Sequence, residues 1–598
     1  MDRNEFLKTT ALGLASTFIP LQFYSMDKNN ERETDEVFMA KLLEANEKYV
    51  ANYLQSMDNP MAWQYYRRLS GGVAALSAGY CHPKSSNFRS PKVMEALDQI
   101  ISRLNELQYP NGTLDSGGNR KSPPDTAFLL ESLCPAYHIL SSNEDFTELA
   151  DVKKKLETFL LKAGEGLRTG GVHTPNHRWV ISSVLAQLYA IFGDQKYLDR
   201  IDEWLAEGIY MNEDGQYPER SRNYSVVENS AFIHLGEILN RPELFENVSK
   251  NIDSTFYYME ADGELVALDS RRQDKYAPIS ITRFYRIYRF MAIHENSGFF
   301  AAIARKIEDL RDFNRIVLSS ALPHFMANQM LSQEMPKSAK LPEDYTKHLK
   351  ASNLVRIKRG DITASIFGGT DKPLTVASGR STNPTFFTFR KGEAVLEYAR
   401  LSSSFFSMGY FRSDGLRIEG NDYLLSEKKE AYYYHPLPAS KRNKAGDYEL
   451  TESLDGRFWS KMSFDERPKD TLEFNSEIKV TEDDGAFSID LDITGEENVE
   501  VTLELCFRAG GVLEGVSKGY SDDDETDENE IDYFLNEGYA TYSSGGDTIK
   551  VGPGKSEHMR VSRIDGEVYS THFGSIKGKG MHLYITGLVP FKHTITIE

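Results

Sequence analysis

At 598 residues the chain is long enough for two or more domains with cores of their own. Its net charge of −20 argues against nucleic acid, which needs a basic footprint, but leaves room for an anionic substrate in a locally basic site. Three widely separated cysteines, Cys81, Cys134 and Cys506, show neither CxxC nor zinc spacing, and their odd number leaves at least one free thiol.

Residues 1–24 have the pattern of an export signal. Arg3 and Lys8 precede a short apolar stretch from about Thr9 to Leu21, too short for a membrane span. "DRNEFLK" resembles a twin-arginine signal in which Asn4 replaces the second arginine. No lipobox cysteine follows, so the expected location is the bacterial periplasm, without a lipid anchor or a membrane span.

Residues 25–335 read as helical. Segments such as "EVFMAKLLEANEKYVANYLQSM", "PKVMEALDQIISRLNELQ", "RWVISSVLAQLYAIFG" and "QKYLDRIDEWLAEGIY" carry apolar residues at helical spacing. Long polar loops near 109, 169, 212 and 260 recur roughly every 50 residues, each following one helix and preceding another. Three of them contain Asn-Gly or Asp-Gly, which favour tight turns. Helix pairs in constant phase put these loops on one rim, and closed into a ring they make an (α/α) toroid.

A linker is expected at 336–352. From 353 to 598 the period changes to two, as in "NLVRIKRGDITASIFGG", "TFFTFRKGEAVLEYARLS" and "GMHLYITGLVPFKHTITIE", which predicts an antiparallel β-sandwich. The acidic run "SDDDETDENEID" at 521–532 lacks the glycine of an EF-hand loop and reads as a solvated loop rather than a calcium site.

Candidate site residues concentrate in the rim loops. In "GGVHTPNHRWVI", Asn176 and His177 stand at a helix mouth, either as a capped polar turn or as a carboxylate-binding amide beside a proton-handling imidazole. In "DGQYPERSRNYSVVENS", Tyr217 and Tyr224 flank Arg220 and Arg222. Each tyrosine is either a packed aromatic or a phenol that nearby cations push toward the phenolate. Arg271 and Arg272 in "LDSRRQDK" suit substrate carboxylates or form a solvated pair. Asn119 and Arg120 come from the first rim loop, where Asp125 reads as a helix cap. His173 and His234 read as secondary, His234 as a packing histidine. From the β half, Tyr410 and His435 could reach a cleft between the domains.

A toroid followed by an antiparallel β domain, with "NH" on one rim loop and "DGxYxExSxxY" on the next, resembles polysaccharide lyases of the heparinase, chondroitin-lyase and alginate-lyase kind. The resemblance implies that Asn176 and His177 neutralise a uronate carboxylate and that Tyr224 transfers protons. It implies an anionic polysaccharide or oligosaccharide substrate, with exo-acting lyases on glucuronate-ended side chains as a subclass. The "HGH"-like histidine segment of some of these β domains is missing. No cofactor is required for β-elimination, and neither a structural calcium nor a structural zinc is supported by a motif. Two rival readings are a glycoside hydrolase using paired carboxylates among Asp115, Asp125, Glu219 and Glu228, and a non-catalytic glycan-binding protein.

Overall fold

The computed structural model describes residues 32–143, 145–272, 274, 278–369, 383–519, 532–559, 561 and 578–598. The export-signal pattern at 1–24, most of the acidic run at 521–532 and most of the strand pattern at 559–575 lie outside these residues.

Twelve α-helices occur among the described residues: α1 (Glu36–Ser56), α2 (Tyr66–Cys81), α3 (Pro91–Leu107), α4 (Pro123–Ser141), α5 (Ala150–Thr169), α6 (Pro175–Phe192), α7 (Gln195–Ala206), α8 (Arg222–Ile238), α9 (Glu243–Phe256), α10 (Tyr285–His294), α11 (Gly298–Glu308) and α12 (Ser319–Ala327). The even-numbered helices pack side by side as an inner ring, α2 on α4, α4 on α6, α6 on α8 and α8 on α10. Helix α12 meets both α2 and α4, and the 3-10 turn Gln329–Ser332 after it packs on both α12 and α10, which closes the circle. The amphipathic odd-numbered helices lie outside, with Leu156, Phe159, Leu160 and Ala163 of α5 buried on one face and lysines and glutamates on the other.

Because α4, α6, α8 and α10 all start at the same end of the ring, the loops that precede them share one rim. Their tight turns are built into the packing. Gly112 (φ +86°) and Gly215 (φ +75°) hold the left-handed conformation, where a Cβ would stand 1.8 Å from the Lys162 carbonyl oxygen and 2.7 Å from that of Lys250. Each turn therefore leans on a neighbouring outer helix, and only glycine permits both the φ and the approach.

Among the described residues, the second half is a sandwich of a nine-stranded and an eight-stranded sheet. In the first, strand Ala394–Ser403 pairs antiparallel with Glu500–Arg508. In the second, Lys469–Asp483 lies between Asp422–Tyr434 and Ala486–Gly495, placing Ile478 opposite Leu425 and Leu491. One core of inward residues from both sheets, including Ile357, Leu401, Ile478 and Ile585, lies between them. Pairing is antiparallel except between Asp532–Phe534 and Gly580–Leu588, which run parallel.

The β-domain begins earlier than the period-two pattern predicts. Within the expected linker 336–352, Asp344–Leu349 is a strand at the edge of the nine-stranded sheet, paired with Leu354–Arg359. Its composition, DYTKHL, hides it, because it is half-exposed and carries charges on an edge.

Arginines of the sheet join it to the rim. Arg356 donates to Glu260 Oε1 (2.6 Å) and to the Tyr257 carbonyl (3.1 Å), while Thr363 donates to Glu260 Oε2 (2.6 Å). Arg390 pairs with Asp262 (2.8 Å) and the half-buried Arg508 with Glu264 (2.9 Å). Arg356–Glu260 is the buried pair of the three, and removing one of its partners costs roughly 3–5 kcal/mol. The three cysteines are buried and unpaired. Among the described residues, no helix is long and apolar enough to cross a membrane, and no cluster of His, Cys, Asp or Glu could hold a metal ion.

Candidate active site

Helix α6 starts with Pro175 at its first position, where the missing N–H costs nothing and φ is already helical. Asn176 follows and is fully buried. Its Nδ2 donates to Glu219 Oε2 (2.6 Å) and to Thr174 Oγ1 (3.2 Å), which fixes the amide's orientation; its Oδ1 has no partner among the described residues. The ring of His177 stands edge-on to those of His173 (centroids 4.7 Å apart) and Phe128 (6.2 Å). Burial, with His173 beside it, depresses the imidazole to about 4, so His177 is neutral near pH 7. Its Nδ1 is buried without a hydrogen-bond partner.

Helix α8 is entered through Ser221, whose Oγ accepts from the Tyr224 N–H (3.3 Å) and donates to Asp274 (3.1 Å). Asp274 also accepts from the Arg222 N–H (2.9 Å) and from Ser270. A carboxylate at this helix start satisfies otherwise orphaned N–H groups and staples the 270–274 segment to α8. The staple carries Arg272 over Tyr224. Its guanidinium lies 4.5 Å from the ring centroid, and Nη2 donates to the phenolic oxygen (3.2 Å). Through Nη1 the same guanidinium pairs with Glu219, which is 5% exposed. The result is a chain across three rim loops: Tyr224, Arg272, Glu219, Asn176.

Tyr224 and Arg272 are partly exposed, whereas Tyr217 and Arg222 are not. Placing those two at a substrate groove is corrected by their burial. Tyr217 is 1% exposed, donates to Asn229 Oδ1 (2.8 Å) and has its phenol pushed well above the usual range by burial. Arg222 is sandwiched between Asp269, Gln216 Oε1 (2.5 Å) and the Tyr258 ring (3.7 Å), holding the 212–222 loop to the 257–269 loop. An arginine beside a tyrosine motif looks the same in sequence whether it faces inward or outward.

Arg220, with a left-handed backbone (φ +46°), is buried and reaches the Ala351 carbonyl (3.4 Å). Arg271 is exposed and donates to the Pro218 carbonyl (3.1 Å). Asn119 donates to Asp125 (2.9 Å) and Arg120 to Asp115 (2.8 Å) on an exposed hairpin. The cap of α4 is Ser122 rather than the expected Asp125, which stands three positions on: Ser122 Oγ accepts from the Asp125 N–H (3.3 Å) and donates to its carboxylate (2.8 Å). The structure does not bring the two β-half residues into the chain of contacts just described. Tyr410 is 2% exposed and donates to Glu504 (3.1 Å) inside the sandwich, and His435 is exposed against Asp470 (2.9 Å).

Glu219 is the residue that sequence reasoning undervalued. It sits inside the "DGxYxExSxxY" segment, but only its position between Asn176 and Arg272 gives it a role. Glu228, one of the hydrolase candidates, is buried on α8 with neither carboxyl oxygen bonded, and burial with Glu219 nearby pushes it well above the usual carboxylate range.

No family model matches the sequence, and no curated protein matches it either. Solved structures do match. The Streptomyces coelicolor chondroitin AC lyase in complex with chondroitin sulphate is 11% identical, with 96% of this chain and 80% of that chain covered, at a TM-score of 0.51. A Paenibacillus xanthan lyase is 11% identical over 95% of this chain and 58% of that chain, at a TM-score of 0.53. A heparan sulfate lyase from Pedobacter heparinus is also 11% identical, over 89% and 76%, at 0.44. The fold is therefore that of polysaccharide lyases of the toroid plus β-sandwich type.

Proposed function

We propose that the protein is a polysaccharide lyase that cleaves a uronate-containing glycan by β-elimination, leaving a 4,5-unsaturated uronate. The observation that carries this reading is the Arg272 guanidinium set both on the Tyr224 oxygen and beside Asn176 through Glu219, on a toroid shared with lyases.

Elimination removes the C5 proton of the uronate and expels the oxygen at C4. The C5 proton becomes acidic enough only when the carboxylate charge is neutralised and an enolate can form. Donors fixed in place for that developing charge are the largest contribution such a site can make. Arg272 supplies the positive charge, shared with Glu219. His177, neutral near pH 7, offers a hydrogen bond rather than a charge. Both N–H groups of Asn176 are engaged by Glu219 and Thr174, so a substrate carboxylate takes a hydrogen bond from Asn176 only by displacing one of them.

Tyr224, as phenolate, takes the C5 proton and, as the phenol so formed, gives it to the leaving oxygen. Negative charge formed on its oxygen meets the Arg272 donor already in place. One tyrosine serves both steps when the proton and the leaving group share a face, as in glucuronate or mannuronate.

A hydrolase needs two carboxylates free to act. Asp115 is held by Arg120 and Tyr109, Asp125 by Asn119 and Ser122, Glu219 is ion-paired and Glu228 is buried. The N-terminal pattern supports export, and the anionic glycan is the expected partner.

The test is a panel of uronate glycans followed by ultraviolet absorbance of the unsaturated product. Absorbance that appears with wild type and disappears with Tyr224→Phe supports the reading. New reducing ends without absorbance would turn it into hydrolysis.

A further inference from the structure

A second cluster of polar groups lies inside the ring, one to three turns further along the helices that begin at the site. A cavity of about 190 Å³ is lined there by Phe128 and Glu131 of α4, Ser230 and His234 of α8, Arg286 of α10 and His324 of α12. Phe128 is shared with the site, since its ring stands edge-on to His177 and carries the Arg67 guanidinium 4.6 Å from its centroid. Val226 and Val227, just after Tyr224 on α8, also line it.

Arg286 is the unusual member. It makes no hydrogen bond or ion pair with any described residue, although it lines a cavity inside a helical ring. Arg286 is half-buried, and its five N–H groups form a planar fork that matches an oxyanion. Two neutral hydrogen-bonding groups stand with it. His234 has its Nδ1 taken by Ser183 (2.9 Å), which leaves Nε2 for the cavity, and Ser230 adds a hydroxyl. The volume equals about six waters, below the roughly 300 Å³ at which pockets for whole small molecules begin. It fits one charged group rather than a run of sugars.

We propose that this cavity is an oxyanion site that takes a carboxylate or sulfate group, with Arg286 as its cation. The group comes either from the glycan, whose chain would then pass over Phe128, or from free anions. The glycan source rests on the lyase reading above; the anion site itself does not.

Glu131 supplies a control. Burial pushes its carboxyl up to about 7, against the opposing pull of Arg286 and Arg67, while burial holds His234 at about 4 and His324 well below its ordinary value. Near neutral pH Glu131 thus changes charge, and in its ionised form it repels a bound anion; Glu237, bonded to the lining residue Asn328 (3.1 Å), is also pushed well above the usual carboxylate range by burial.

The experiment is calorimetric titration of the full-length chain with inorganic sulfate at low ionic strength, below and above pH 7, without reference to turnover. Wild type should bind one sulfate, more weakly above pH 7. Arg286→Gln should weaken binding at least tenfold, and Glu131→Gln should strengthen it severalfold above pH 7. A parallel loss of affinity of Arg286→Gln for a uronate oligosaccharide identifies the glycan as the source; an unchanged oligosaccharide affinity identifies a free anion. No sulfate binding by wild type at millimolar concentration, or binding unaltered in both variants, overturns the proposal. Should Arg286→Gln fail to fold by circular dichroism, Glu131→Gln decides, and an unchanged pH dependence in that variant overturns it. A glycan panel that yields no unsaturated product would sink the lyase reading while leaving these titrations fully interpretable.

Discussion

Two clusters on the rim each join a tyrosine, an arginine and a carboxylate, and arrange them with opposite sense. In the first, Asp115 accepts from Tyr109 (2.8 Å) and Arg120 (2.8 Å), all within one exposed hairpin. In the second, Glu219 pairs with Arg272, and Tyr224 receives a hydrogen bond from that arginine. The Tyr109 phenol is pushed up by the carboxylate that holds its proton. The Tyr224 oxygen faces a cation instead. A tyrosine tied to a carboxylate keeps its proton; one approached by a guanidinium can accept one. The two clusters differ in composition by a single methylene, Asp115 against Glu219, and chiefly in polarity, which is what the proposed proton-transfer role of Tyr224 rests on.

The largest effect expected from breaking this contrast is at the tyrosines. Tyr224→Phe should lower kcat by about a thousandfold with an unchanged melting temperature, whereas Tyr109→Phe should change kcat by less than about twofold. Full activity in the first variant would remove Tyr224 from the chemistry. Next come the arginines. Arg272→Ala should cost about a hundredfold in kcat/KM, as expected for losing one fixed donor, and Arg120→Ala almost nothing. Equal losses in both would mean that the two clusters are not functionally distinct.

The histidine beside Asn176 sharpens the contrast through pH. His177 is depressed when folded, so the unfolded chain binds the extra proton first. Its contribution is complete above about pH 6.5, declines as the pH falls and is gone near pH 4, amounting to about 3 kcal/mol at most. Denaturant titrations at pH 7 and pH 5 should show a smaller pH difference in His177→Asn than in wild type; identical differences would show that the ring is not buried neutral. The smallest effect belongs to Tyr217→Phe, which loses one buried hydrogen bond to Asn229. It should cost about 1 kcal/mol of stability and leave turnover near wild type.

The toroid, its shared rim and the β-sandwich were legible because amphipathic outer helices, turn glycines and alternating strands write themselves into local periodicity. Helix α2 was not singled out, since twelve of its residues, among them Leu69, Val73, Leu76 and Tyr80, are buried nearly all round and leave no polar stripe. Strand Asp422–Tyr434 was missed because Glu427 and Lys429 lie on the face that holds Tyr423, Leu425 and Ala431, Lys429 donating to two backbone carbonyls there. At the site, Asn176, His177 and Tyr224 could be picked out from their motifs. The difference between Arg222 and Arg272 could not, because it depends on which of two carboxylates, Asp269 or Glu219, each arginine meets across the rim.

The pairing of the nine-stranded sheet with residues 257–264 bears on how this chain can be divided. Glu260, Asp262 and Glu264 fall within five residues, and Arg356, Arg390 and Arg508, which pair with them, all belong to the β-domain. A fragment ending before Asp344 would keep three like charges on one short stretch and lose all three counter-cations. Their mutual repulsion would act on the segment that leads, a few residues on, to Arg272. The sandwich thus supplies the counter-charges of the rim segment that leads to Arg272.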